Sequence, residues 1–125
     1  MGTCNTVRDT IFQGEDKSIQ LRVVVKPATI SFNLSPLDPL TAGDDLTFKF
    51  TKEDGTFLEK KLSVEGDVEL IDASLGSLRV NLTAADTMAL ETGNSVSFFA
   101  EYLFGGKTRI IKFRNQLNIV SCNEV

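Results

Sequence analysis

The chain has 125 residues, 42% hydrophobic and 24% charged, the proportions of one folded domain with its own core rather than a disordered segment. Its formal charge is −4 and no basic cluster is longer than Lys60-Lys61, so a nucleic-acid surface is excluded as the reading. Histidine and tryptophan are absent and tyrosine occurs once, at Tyr102. Those absences remove histidine-based nucleophile activation and imidazole metal ligation, and they weaken sugar stacking.

Residues 1–10 read as an N-terminal arm without the apolar stretch of a secretion signal, and no span crosses a membrane. Synthesis and folding in the cytoplasm are therefore expected. Met1 to Thr6, "MGTCNT", has the spacing of an acylation signal, but no basic segment follows to support membrane attachment. Cys4 and Cys122 lie near opposite ends. They are compatible with two free thiols, or with a bridge if the termini run side by side.

From residue 11 onward, apolar residues alternate with polar ones between turn signals, the period of β-strands. "SIQLRVVVK" puts Ile19, Leu21, Val23 and Val25 on one face, and "ATISFNL" does the same with Ile30, Phe32 and Leu34. Pro27 separates these runs, and Pro36 and Pro39 mark a loop. "DLTFKF" alternates through Leu46, Phe48 and Phe50, "KEDG" turns the chain, and "FLEKKLSV" returns through Leu58, Leu62 and Val64. The acidic turns Glu53-Asp54-Gly55 and Gly43-Asp44-Asp45 supply too few oxygens for a calcium cage and read as turns, so no metal or cofactor is predicted. "VELI" and "SLRVNL" follow, with Gly76 between them at a tight turn and Leu78, Val80 and Leu82 facing inward.

The next segment predicts a short helical connector over about residues 84–90. Thr83 is the N-cap, Asp86 favours the N-terminal dipole, and Gly93 closes the turn in a left-handed conformation. Met88 or Leu90 is expected to plug the core. "SVSFFAEYLF", Gly105-Gly106 and "KTRIIKFRNQLNIV" then form a hairpin, because the glycine pair accepts the positive φ of a two-residue turn. In that register Phe104 opposes Lys107, Tyr102 opposes Arg109, Ala100 opposes Ile111 and Phe98 opposes Phe113. The opposite face carries Phe99, Leu103 and Ile110 beside Glu101, Lys112 and Arg114, more apolar mass than an outward face requires. Either another segment covers these three, or they form a partner surface.

Seven to nine strands with one helical turn predict a single antiparallel β-sandwich, immunoglobulin-like, over residues 11–120, with a C-terminal tail at 121–125. The order of features resembles the small immunoglobulin-like domains of tailed-phage virion proteins and is similar to the N-terminal domain of phage baseplate upper proteins. The likeness rests on "FQGEDKSIQL", "LDPLTAGDDLTFKF" and "LGSLRVNLTAADTMALETGNSVSFFAEYLFGG". The segment "VKPATISFNLSPLDP" departs from the family pattern as an inserted strand-like stretch.

The resemblance implies a non-enzymatic virion structural protein, tail- or baseplate-associated or attached to the head. It would contact other virion proteins in a symmetric, multi-copy assembly. The residues assigned to that contact are Phe99, Leu103 and Ile110 with the tip Gly105, Gly106, Lys107 and Arg109. The alternative is a glycan- or ligand-binding sandwich module. No residue pair has the spacing of a catalytic dyad, and Glu59 and Glu69 read as solvated strand positions.

Overall fold

The computed structural model describes residues 10–25, 30–96, 98–113 and 117–120. Cys4, Cys122, Pro27 and Arg114 lie outside the described residues. The strands are β1 (Thr10–Phe12), β2 (Lys17–Arg22), β3 (Val24–Val25), β4 (Ile30–Ser31), β5 (Asp45–Thr51) and β6 (Phe57–Lys61). They continue as β7 (Val68–Asp72), β8 (Ser77–Leu82), β9 (Gly93–Val96), β10 (Phe98–Phe104), β11 (Lys107–Lys112) and β12 (Leu117–Val120). A 3₁₀ turn at Ala73–Leu75 precedes β8, and the helical connector α1 (Ala84–Ala89) follows it.

The protein is an all-β sandwich. One layer has the order β11-β10-β5-β6, and its two hairpin segments carry on as β12 and β9, with β1 beside β12. The other layer is β2-β8-β7, and β3 and β4 form the separate ribbon that the inserted segment builds. Consecutive strands are thus shared between two layers, as in a β-sandwich. Among the described residues every strand pair is antiparallel except β1 with β12, which is parallel. Nearly the whole domain separates those two strands in sequence, so no hairpin dictates their direction.

Alternation decides which side chains the layers enclose. Leu46, Phe48 and Phe50 of β5, Leu78, Val80 and Leu82 of β8, and Phe98 and Ala100 of β10 are all buried. Phenylalanine rings make a stack through the centre: Phe48 on Phe113 at 5.6 Å, Phe113 on Phe98 at 5.0 Å, and Phe98 on Phe50 at 5.4 Å. Each fully buried ring contributes on the order of 1.5–3 kcal/mol through area removed from water.

The connector begins as its sequence requires. The Thr83 hydroxyl accepts from the Asp86 N–H, and the Asp86 carboxylate accepts from the Thr83 N–H at 2.8 Å, a reciprocal cap. Its end differs from expectation. Gly93 opens β9, opposite Ile119, and does not close the helix; Leu90 is the C-cap, with extended backbone. The reason lies in the sheet. Leu90 bridges to Lys52, and the Glu91 N–H donates to the Thr51 carbonyl at 3.1 Å, so the chain is drawn straight into strand geometry before a left-handed turn is needed. Leu90 fills the core, whereas Met88 is exposed.

Lys60 of β6 occupies an inward-facing position between Leu58 and Leu62, where alternation calls for an apolar side chain. Its buried ammonium pairs with Asp86 of α1 and lies 3.5 Å from Asp67. Burial pushes the Asp86 carboxyl upward, but the Lys60 ammonium and the Thr83 amide outweigh it and hold the group below the usual carboxylate range.

At the opposite end Gly76 has φ 72°, and a Cβ there would stand 2.5 Å from the Val23 carbonyl oxygen and 2.7 Å from that of Phe32. Three backbones cross at this point: the Val23 N–H donates to the Gly76 carbonyl and the Phe32 N–H to that of Val23. Only glycine combines the left-handed φ with that approach.

Gly76→Ala should therefore destabilise the domain by about 2–5 kcal/mol, from the left-handed backbone and the overpacking together, read as a lower urea midpoint. Because the Asp86 pKa is depressed in the folded chain, its stabilisation is complete above about pH 4, the unfolded value, and is lost as pH falls through the folded value. Urea titrations at a series of pH values should show that acid loss, and Asp86→Asn should flatten it.

Candidate functional site

The outer face of the four-stranded layer gathers the sequence-predicted surface residues and adds others. Its registers set Phe99 between Lys112 of β11 and Lys49 of β5, with Glu59 of β6 beyond Lys49. The next row is Ile110, Glu101, Thr47 and Lys61, and Leu103 follows between Thr108 and Asp45. Phe99, Leu103 and Ile110 thus share one face, as their spacing predicts.

Phe99 is partly covered. The Phe57 ring meets it edge-on at 5.6 Å, and the Lys49 ammonium sits 5.7 Å from the centre of the Phe57 ring. Lys49 is also paired with Glu101 at 2.9 Å and Glu59 at 3.3 Å, and these carboxylates hold its pKa above the ordinary lysine value. The cover is therefore a neighbouring strand, yet Phe57 is itself 47% exposed and Ile110 49% exposed. An open groove of about 630 Å³ lies at Ile110, lined by Phe98, Phe99, Glu101, Ile110, Lys112 and Phe113. Its floor is aromatic and one carboxylate and one ammonium flank it, so it suits an apolar side chain of a partner.

The hairpin tip has the predicted register, Phe104 with Lys107 and Tyr102 with Arg109, and both glycines have positive φ, 59° at Gly105 and 77° at Gly106. Lys107 and Arg109 lie on the opposite face from Phe99, Leu103 and Ile110. The Arg109 guanidinium stands 6.0 Å from the Phe32 ring centre, and Phe32 packs edge-on against Tyr102 at 5.0 Å. Burial, with the nearby Asp44 charge, pushes the Tyr102 hydroxyl upward. The tip is tied down by Asp44, a buried carboxylate that accepts from the Gly105 N–H at 3.2 Å and from the Asp38 N–H at 3.0 Å. Asp38 in turn closes a turn through Thr41, and Leu40 within that turn is 95% exposed.

The sequence analysis missed Phe57 and Leu40. Phe57-Leu58 is an adjacent apolar pair inside a strand, which must place one member on each face, and that signal points to Phe57. Leu40 had no signal, since it lies in the loop marked by Pro36 and Pro39, where no alternation assigns a face. The acidic turns behave as turns: the Asp54 carboxylate accepts from the Thr56 N–H at 2.9 Å, and Asp44 is occupied as described. Glu69 is bonded to Arg79 and Asn81. Among the described residues, no three acidic or cysteine side chains converge as metal ligands.

No protein-family model matches the chain, and no curated protein is significantly similar to it.

The geometry separates two residues that alternation alone treats alike. Ile110→Lys, facing Glu101 across the ladder, should change stability by no more than about 0.5 kcal/mol. Phe99→Asp should cost about 1–3 kcal/mol by removing the Phe57 ring contact and partly buried area. Urea unfolding of the two purified variants checks both values.

Proposed function

We propose that the chain is a non-enzymatic structural protein of a tailed-phage virion, tail- or baseplate-associated or attached to the head, working through protein–protein contacts in a symmetric assembly. One observation carries the reading: Ile110, half-exposed on the edge strand β11, stands beside the aromatic groove on the outer face of the sheet. Such a surface gains by being covered, and a free strand edge gains by being paired. The sequence likeness to phage immunoglobulin-like domains supplies the assembly class. The same groove favours a second reading, a ligand-binding module, because apolar walls flanked by Glu101 and Lys112 also suit a small amphipathic molecule.

Gold-labelled antibody against the protein, applied to particles from a lysate of its source culture, distinguishes the two readings by electron microscopy. Label at the tail or on the capsid is the expected outcome. Unlabelled particles beside abundant soluble protein would overturn the structural reading in favour of the ligand-binding module.

A further inference from the structure

Backbone polarity in the four-stranded layer follows from a few bonds. The Leu62 N–H donates to Leu46 and the Lys52 N–H to Thr56, so even-numbered residues of β5 and β6 bond to one another. That leaves the N–H and C=O groups of Phe57 and Glu59 pointing away from the sheet, while those of Lys61 are taken by the Asp67 carboxylate and the Val64 N–H. At the other margin the two-residue hairpin makes Phe104–Lys107 a hydrogen-bonded pair, and with it Tyr102–Arg109 and Ala100–Ile111. The backbone groups of Thr108, Ile110 and Lys112 therefore point outward from β11. Among the described residues neither β11 nor β6 has a strand on its outer side.

These two margins fit each other. Strand directions alternate across β6, β5, β10 and β11, so a second copy displaced sideways presents its β6 antiparallel to β11 of the first. The outward-bonding residues of both edges also point their side chains to the same outer face, so the face continues across the junction. Setting Ile110 opposite Phe57, the half-exposed apolar group of each edge, brings Lys112 alongside the acidic turn Glu53-Asp54 and Thr108 opposite Glu59. The edge strand β11 carries Lys107, Arg109 and Lys112 and no acidic residue, in a chain whose net charge is −4.

We infer that β11 of one copy pairs with β6 of the next, extending the four-stranded layer head to tail through the protein's own assembly. The contact is heterologous, so it propagates into a row or closes into a ring. The inference rests on the proposed reading of this sheet edge as a contact surface and adds the identity of the partner.

The test uses sedimentation velocity of the full chain with two blocked variants. Ile110→Pro removes an outward N–H from β11, and Phe57→Pro removes one at the first position of β6; neither deletes a bond within the sheet. The wild-type chain should form concentration-dependent oligomers that weaken with salt, while each variant alone remains monomeric. An equimolar mixture of the two variants should stop at dimers, because only one compatible pair of edges survives. Ile110→Lys, which leaves the backbone untouched, should weaken assembly at least tenfold and guards against misfolding of the proline variants.

A wild-type chain that is monomeric up to millimolar concentration would overturn the inference. So would a variant that dimerises alone, since that indicates an edge pairing with its own kind, or a mixture that stays monomeric beside an assembling wild type, since the two surviving edges then do not pair with each other. Gold label on particles together with a monomeric wild-type chain would leave the virion reading standing and transfer the contact to a different protein.

Discussion

The clasp around the helical connector is the constraint on which one end of the sandwich depends. Thr87, fully buried on α1, accepts from the Gly14 N–H at 3.0 Å and donates to the Glu15 carbonyl at 2.7 Å. The Asp16 carboxylate accepts from the Ala84 N–H, and the Glu53 N–H donates to Ala89. Six residues thus hold the β1–β2 turn of one layer crossing and the β5–β6 turn of the other layer, while Asp86 takes the buried Lys60. Buried polar groups of this kind are costly when unpaired and specific when satisfied, so the clasp fixes where the two layers meet.

With that end fixed, the long hairpin has a defined base. Leu90 enters the core and the chain turns directly into β9, so β10 leaves the clasp with Phe98 already in the phenylalanine stack. Everything beyond Ala100 is then set by alternation. Tyr102 and Phe104 follow the inner face out to the tip, where Asp44 seizes the Gly105 amide, and Phe99, Glu101 and Leu103 follow the outer one. The hairpin that carries the proposed contact surface is hydrogen-bonded to other parts of the chain at its tip, through Asp44, and where the chain enters it, through Thr51. A surface held in this way loses less freedom on association than a loop does.

The outer face combines charge and apolar area in a way that resists indiscriminate pairing. Lys49 sits between Glu59 and Glu101 and covers one side of the Phe57 ring, so the centre of the sheet is neutralised from within. The basic residues of β11 remain at the margin. Lysine and arginine on an edge strand disfavour contact with a like-charged edge and favour an acidic or mixed one. The same residues that protect the sheet therefore also bias its choice of neighbour.

Local rules determined most of the fold. Alternation identified the inward faces of β5, β8 and β10; the glycine pair identified the hairpin; and the Thr83–Asp86 spacing identified the start of the connector. Each depends on residues within a few positions of one another, which is why sequence alone sufficed. Tertiary structure decided what depends on distant partners. Leu90 rather than Gly93 ends the connector because Lys52 and Thr51 are there to pair with it. Lys60 enters an inward position because Asp86, 26 residues away in sequence, neutralises it. Phe99 is half-covered because the β5–β6 hairpin carries Phe57 across the sheet to meet it. The sequence by itself set which residues face in and where the chain turns. Long-range pairing decided which of the outward residues remain open to a partner.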